Sequence, residues 1–136
     1  MSSFRYRYAI GSPPSPSVLL NLTHPVTGQR VEDVPAIVDT GADQTVIPER
    51  LILELGLIQL DQQLVRGFDG SPRLLPTFLT RIQVRDLPRF DLEIIASPAI
   101  ENAILGRDVL NRYKVVLDGP GQVMTISDES SPPSRE

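Results

Sequence analysis

Proline spacing is the tightest constraint on what this chain can become. Its 136 residues hold 13 prolines, about twice ordinary usage. Pro13, Pro14, Pro16, Pro132 and Pro133 lie near the ends, while Pro25, Pro35, Pro48, Pro72, Pro76, Pro88, Pro98 and Pro120 cut the interior into short pieces. Each ring removes a backbone donor and clashes with the preceding helical turn. Only residues 49–71 and 99–119 therefore leave room for a helix of ordinary length. A helical bundle is disfavoured, and a mostly β domain with one or two short helices is expected.

The length suits one domain with a single core. Lys and Arg number 13 against 17 Asp and Glu, a net charge of -4, so no basic surface points to nucleic acid or an anionic membrane. Cysteine is absent, which excludes disulfide frameworks, thiolate catalysis and cysteine-ligated metals. A single histidine cannot build a multi-histidine zinc site. His24 falls in His24-Pro25-Val26-Thr27-Gly28, a turn composition, and is expected to be an ordinary loop residue rather than the base of a serine triad. No metal and no cofactor are expected. There is no run of 18 apolar residues, and Met1 to Ile10 alternates polar with aromatic residues without a signal-like apolar stretch. The expectation is a soluble, cytoplasmic protein.

Residues 1–17 read as an N-terminal strand followed, over 11–17, by a stiff proline-rich linker or loop, and 128–136 as a disordered tail. Between them, residues 18–127 form the folded domain. Val18 to Leu22 and Val31 to Val38 make a hairpin around Pro-Val-Thr-Gly, and Thr45-Val46-Ile47 continues as strand. Pro48 suits the first position of a short helix with Leu51, Ile52 and Leu55 on its core face and Gly56 as its stop. Residues 61–66 and 73–84 flank a tip, Gly67-Phe68-Asp69-Gly70-Ser71. Phe90 to Ile95 alternates again, Arg107 to Arg112 suits a second short helix with Val109 and Leu110 in the core, and Tyr113–Leu117 with Val123–Ser127 closes a last hairpin.

Chemistry concentrates in Ala36-Ile37-Val38-Asp39-Thr40-Gly41-Ala42-Asp43. An apolar strand delivers one carboxylate to a turn, Gly41 lets the backbone bend and approach a ligand, and the Thr40 hydroxyl can bridge the turn. A second element, Ala103-Ile104-Leu105-Gly106-Arg107-Asp108, puts two large apolar residues before a glycine at a helix start. Ile104 and Leu105 are expected to bury beside Ile37 and Val38, with the helix beneath the Asp39 turn.

These residues resemble the retroviral-type, retropepsin-like aspartic proteases. That family carries Asp-Thr-Gly-Ala after a hydrophobic strand, then a glycine-containing flap hairpin, then apolar-apolar-Gly-Arg-Asp or Asn before a short helix. Here the three occur in order as Asp39-Thr40-Gly41-Ala42, Gly67 to Ser71 and Ile104-Leu105-Gly106-Arg107-Asp108. The C-terminal hairpin is more similar to the DNA-damage-inducible and bacterial single-domain members than to viral enzymes. The resemblance implies a closed β-barrel, a homodimer and a peptide or protein substrate, with no nucleic acid or membrane partner. It implies catalytic roles for Asp39, Thr40 and Gly41, and substrate contacts from Ala42, Asp43, Gly67, Phe68, Asp69 and Gly70. Ile104, Leu105, Gly106 and Arg107 would support the site, with Asp43 and Arg107 pairing near it. Phe68 either grips substrate or merely covers the hairpin.

One motif copy implies two chains. Two carboxylates about 3 Å apart cannot both ionise and share a proton, the known behaviour of aspartic protease dyads, so a chain with one Asp-Thr-Gly borrows its second acid from a symmetric partner. The leading reading is an aspartic endopeptidase with water activated between two Asp39 carboxylates. A catalytically silent dimer that binds peptides or assembles with partners stands beside it, as does a carboxylate hydrolase of another fold that draws both acids from one chain. Asp39 as a plain turn residue fails to explain the ordered set, and a calcium loop through Asp39 and Asp43 fails because Gly41 stands at ligand position 3 and Gln44 at position 6, where the loop needs glycine.

Overall fold

The computed structural model describes residues 1–9, 11–66 and 70–128. Its elements run β1 (Ser2–Arg5), β2 (Arg7–Ala9), β3 (Ser12–Ser15), β4 (Ser17–Thr23), β5 (Arg30–Val38), β6 (Val46–Pro48), α1 (Glu49–Leu55), β7 (Gln59–Arg66), β8 (Pro72–Val84), β9 (Phe90–Ser97), β10 (Ala103–Leu105), α2 (Arg107–Leu110), β11 (Lys114–Asp118) and β12 (Val123–Ser127). The mostly β reading and both short helices hold.

Alternation in sequence builds the wall of a barrel. Leu20 and Leu22 of β4, Val34, Ala36 and Val38 of β5, and Ile82 and Val84 of β8 all turn inward and are buried. Strand order in the main sheet is β4-β5-β10-β6-β9-β8-β7, and β4 pairs with β8 as well. That extra ladder closes six strands into a ring, with β7 paired to β8 outside it. β8 makes closure possible by its length: Pro72–Phe78 carries β7, and Arg81–Val84 carries β4. Leu20, Leu22, Ile47, Ile82, Ile94 and Leu105 are fully buried inside, each contributing roughly 1.5–3 kcal/mol of hydrophobic stabilisation.

α1 presents Leu51, Ile52 and Leu55 to this core and leaves Leu53 exposed, the one-sided pattern expected of a surface helix. Gly56 ends it at φ 64°, a left-handed cap that glycine adopts without a Cβ penalty. Pro48 sits one residue before the helix, as the last residue of β6. A separate three-stranded sheet, β1-β12-β11, pairs Phe4 with Met124 and adds both, with Ile126, to the same core. The Ser2 hydroxyl donates to Asp86 at 2.6 Å, which holds that carboxyl below its ordinary value.

Several expectations change. The segment 11–17 is not a linker: Ser12–Ser15 runs back as a strand against Arg7–Ala9, and Ser17 already belongs to β4. Prolines fit there because each strand of a two-stranded ladder has a free edge that needs no donor. α2 ends at Leu110 rather than Arg112. His24 lies in the expected turn but is buried; its Nδ1 accepts from the amides of Val26 and Thr27, both at 3.1 Å, so the ring organises the turn from within. Leu105 and Val38 bury as expected, whereas Ile37 is exposed and Ile104 half-buried, because successive strand residues face opposite sides. Residues 129–136 lie outside the described residues, as do Gly67, Phe68 and Asp69 of the expected hairpin tip. No helix among the described residues is long and apolar enough to cross a membrane.

Because Leu105 is fully buried on a three-residue strand, Leu105→Ala should lower unfolding free energy by about 2–5 kcal/mol. Chemical denaturation measures this, and an unchanged midpoint would mean that the strand does not knit the barrel.

Candidate active site

Parallel pairing of β5 and β10 creates the site. Ala36, Ile37 and Val38 lie opposite Ala103, Ile104 and Leu105, and the ladder ends where the Asp39 amide donates to the Leu105 carbonyl at 3.0 Å. The carboxylate emerges at the end of a rigid strand, pointing away from the core. Its Oδ1 accepts from the Gly41 amide at 2.9 Å, and its carbonyl accepts from Ala42 at 3.2 Å. A Cβ at residue 41 would stand 3.2 Å from Asp39 Oδ1, so glycine lets the turn wrap its own carboxylate.

Gly106 is required for a different reason. A Cβ there would lie 2.6 Å from the carbonyl carbon of Gln44 and 2.8 Å from its oxygen, a collision with backbone that no rotamer change relieves. The two chain segments touch main chain to main chain, and Arg107 locks the contact. Its amide donates to Ala42 O at 2.9 Å, its guanidinium donates to Thr40 O at 2.8 Å and also pairs with Asp43. The Asp43 side chain is 84% exposed, so the ion pair itself is worth at most about 1 kcal/mol. Arg107 holds the turn mainly through its two bonds to backbone carbonyls. The Thr40 hydroxyl has no hydrogen-bond partner among the described residues, so it does not bridge the turn within one chain.

Sequence reading passed over the network beneath. Thr45 is fully buried. Its hydroxyl donates to Asp108 Oδ1 at 2.7 Å and accepts from the Gly106 amide at 3.1 Å, while its own amide donates to Asp108 Oδ2 at 2.9 Å. Asp108 Oδ1 takes a further bond from the Val109 amide. One threonine and one aspartate thus weld the two motifs together. The available signal was a threonine at a position that alternation places inside, where a buried hydroxyl demands partners.

A cleft of about 510 Å³ opens over the turn. Asp39, Gly41, Ala42, Asp43 and Gln44 line one side, Val46, Ile95 and Ile104 add apolar surface, and Gln63 to Arg66 of β7 form the other wall. Of the residues expected at the site, Asp39, Gly41, Ala42, Asp43 and Ile104 meet in this cleft, while Thr40, Leu105, Gly106 and Arg107 hold it from behind. Gly70 is described but does not line it; Gly67, Phe68 and Asp69 lie outside the described residues. Among the described lining residues the carboxylates are Asp39 and Asp43, and Asp43 is engaged by Arg107. Asp39 therefore has no free acid beside it among the described residues. No group of three or more metal-ligating side chains occurs among the described residues.

The chain matches the family model described as "gag-polyprotein putative aspartyl protease" over residues 26–112. No curated protein matches it. Among solved structures it is similar to EIAV protease complexed with the inhibitor HBY-793, with a TM-score of 0.57, 18% identity, and coverage of 77% of this chain and 91% of that one. It is also similar to a retropepsin-like aspartic protease from Rickettsia conorii, with a TM-score of 0.58, 15% identity, and coverage of 92% and 90%. A foamy viral protease-reverse transcriptase gives a TM-score of 0.50 at 23% identity, with 71% of this chain and 12% of that chain covered. These likenesses carry the fold, a retropepsin-like β-barrel. The matched family span contains both the Asp39 turn and the Gly106 element, and the chain belongs to this family of aspartyl proteases.

Proposed function

We propose that this protein is a homodimeric aspartic endopeptidase whose active site forms from two Asp39 turns, one from each chain. The observation that supports it most is the lone, exposed Asp39 carboxylate facing a peptide-sized cleft with no free acid beside it among the described residues. A second copy supplies what is missing. Among the described residues β11 has a partner strand on one side only, and it exposes Val116 and Leu117, so a partly apolar strand edge follows shortly after the helix that anchors the Asp39 turn. Such an edge invites a further strand.

In this reading one Asp39 takes a proton from a bound water as the water attacks the scissile carbonyl, and the protonated Asp39 of the other chain donates to the carbonyl oxygen. The roles exchange when the tetrahedral intermediate collapses. The hairpin of β7 and β8 acts as the flap that covers an extended substrate. Val46, Ile95 and Ile104 offer the apolar surface that substrate side chains bury against.

Three outcomes test the proposal. Asp39→Asn should abolish cleavage of a random peptide library while leaving the far-ultraviolet spectrum unchanged; persistent cleavage would end the reading. Cleavage by the wild type should peak at acidic pH in a bell, falling when the shared proton is lost at the high side and when both carboxylates are protonated at the low side. A flat profile would contradict a shared proton. Thr45→Val strands the Gly106 amide and removes a donor to Asp108, costing about 1–3 kcal/mol. It should lower kcat more than it raises KM, because it loosens the reacting turn rather than the cleft walls; an unaltered kcat would mean that the network is not needed to hold Asp39.

A further inference from the structure

A second cleft lies away from Asp39, between β1 and the start of β4. It encloses about 500 Å³, within the size range of clefts that hold ligands. Its floor is Phe4 and Val18, both buried, and its rim carries Arg5, Arg7 and Arg85. In a chain of net charge -4, three guanidinium groups on one rim are a concentration of positive charge that composition does not explain. None has a carboxylate within ion-pair distance among the described residues: the ion pairs found there are Arg30 with Glu32, Arg81 with Asp91 and Arg107 with Asp43.

Backbone at the same place is only partly paired. β1 has β12 on one side and no strand on the other among the described residues. The ladder between β4 and β8 begins at Leu20, so Ser17 to Leu19 lack a strand partner on that side. Arg85 bridges the gap: its amide donates to Leu19 O at 3.2 Å, its guanidinium donates to Ser3 O at 3.4 Å and lies 4.2 Å from the centroid of the Phe4 ring. That bond shows the β1 edge facing the cleft. Arg85 adopts φ 48°, a left-handed conformation costly for a residue with a Cβ, which marks a position held by its surroundings.

We infer that this cleft binds an extended acidic peptide segment, laid along the free edge of β1 with its carboxylates on Arg5, Arg7 and Arg85. Main-chain pairing supplies register and an apolar floor takes the alternate side chains, as in other strand-addition sites; planar guanidinium groups pair with carboxylates in two-pronged fashion. A site with three cations and a buried apolar floor suits a short peptide better than a nucleic acid, which needs a longer basic track. The inference stands apart from the peptidase reading and holds whether or not Asp39 cleaves anything.

The test uses the full chain carrying Asp39→Asn, so that no probe is consumed, and a fluorescent peptide alternating Glu with Val. Binding should weaken steeply with added salt, and the matching peptide of Gln and Val should bind roughly tenfold more weakly or worse, as should the Glu peptide to the Arg5→Gln, Arg7→Gln double variant. Both substituted side chains are exposed, so the thermal midpoint of the double variant should not move. Hydrogen exchange should slow at residues 3–5 and 17–19 on binding. Equal affinity for the Glu and Gln peptides, an unaffected double variant, or protection confined to residues 39–46 would each overturn the inference. Inorganic phosphate that displaces the peptide at equimolar concentration would overturn it too, by showing a simple anion site in place of a peptide groove.

Discussion

Everything at the site depends on the contact between the Gly106 and Gln44 backbones. Two segments more than sixty residues apart approach so closely that a Cβ would stand 2.6 Å from a carbonyl carbon. At that separation the Thr45 hydroxyl reaches the Gly106 amide, Asp108 reaches both donors of Thr45, and Arg107 reaches the carbonyls of Thr40 and Ala42. The Asp39 turn is thereby fixed by hydrogen bonds to main chain rather than by the exposed ion pair, which solvent screens. The barrel supplies the other half of the constraint. Closure of β4 onto β8 leaves β5 no freedom to slide, and parallel pairing with β10 sets where Asp39 emerges.

Local chemistry was legible where residues punctuate the chain. The Pro-Val-Thr-Gly turn, Gly56 behind α1 and the alternation through β8 each declare themselves within a few residues. So does Asp39, because an apolar strand running into Asp-Thr-Gly-Ala is a local pattern. Long-range pairing was not legible in the same way. β10 has three residues, too few for any period, and its partners are chosen by the barrel rather than by its own composition. Thr45 and Asp108, 63 positions apart, each look ordinary alone and acquire meaning only when the fold brings them to 2.7 Å. Ser12 to Ser15 misled because proline-rich composition reads as linker, yet a free strand edge tolerates it. His24 misled because turn residues are usually wet, and here the ring folds under its own turn.

An exposed carboxylate at the mouth of a cleft of mixed polar and apolar lining is an unfinished arrangement for acid-base chemistry. Proton exchange between an acid and a base needs both held in place before substrate arrives. In the proposed dimer each chain presents one such carboxylate, aligned by the Leu105 carbonyl and the Gly41 amide, with its neighbouring Asp43 and Asp108 committed to structural bonds. The two outer strands of the small sheet lie in different places: β11, which has one partner strand among the described residues, follows α2, and β1, at the far side, borders the arginine-rimmed cleft. Pairing through one edge leaves the other free.

Whether two chains make one active site is tested most directly by the dependence of cleavage rate on protein concentration, paired with sedimentation of the same samples. Below the dissociation constant of the dimer, the rate should fall as the square of total concentration and vanish where only monomers sediment. A rate that stays proportional to concentration in samples containing monomers alone would contradict it.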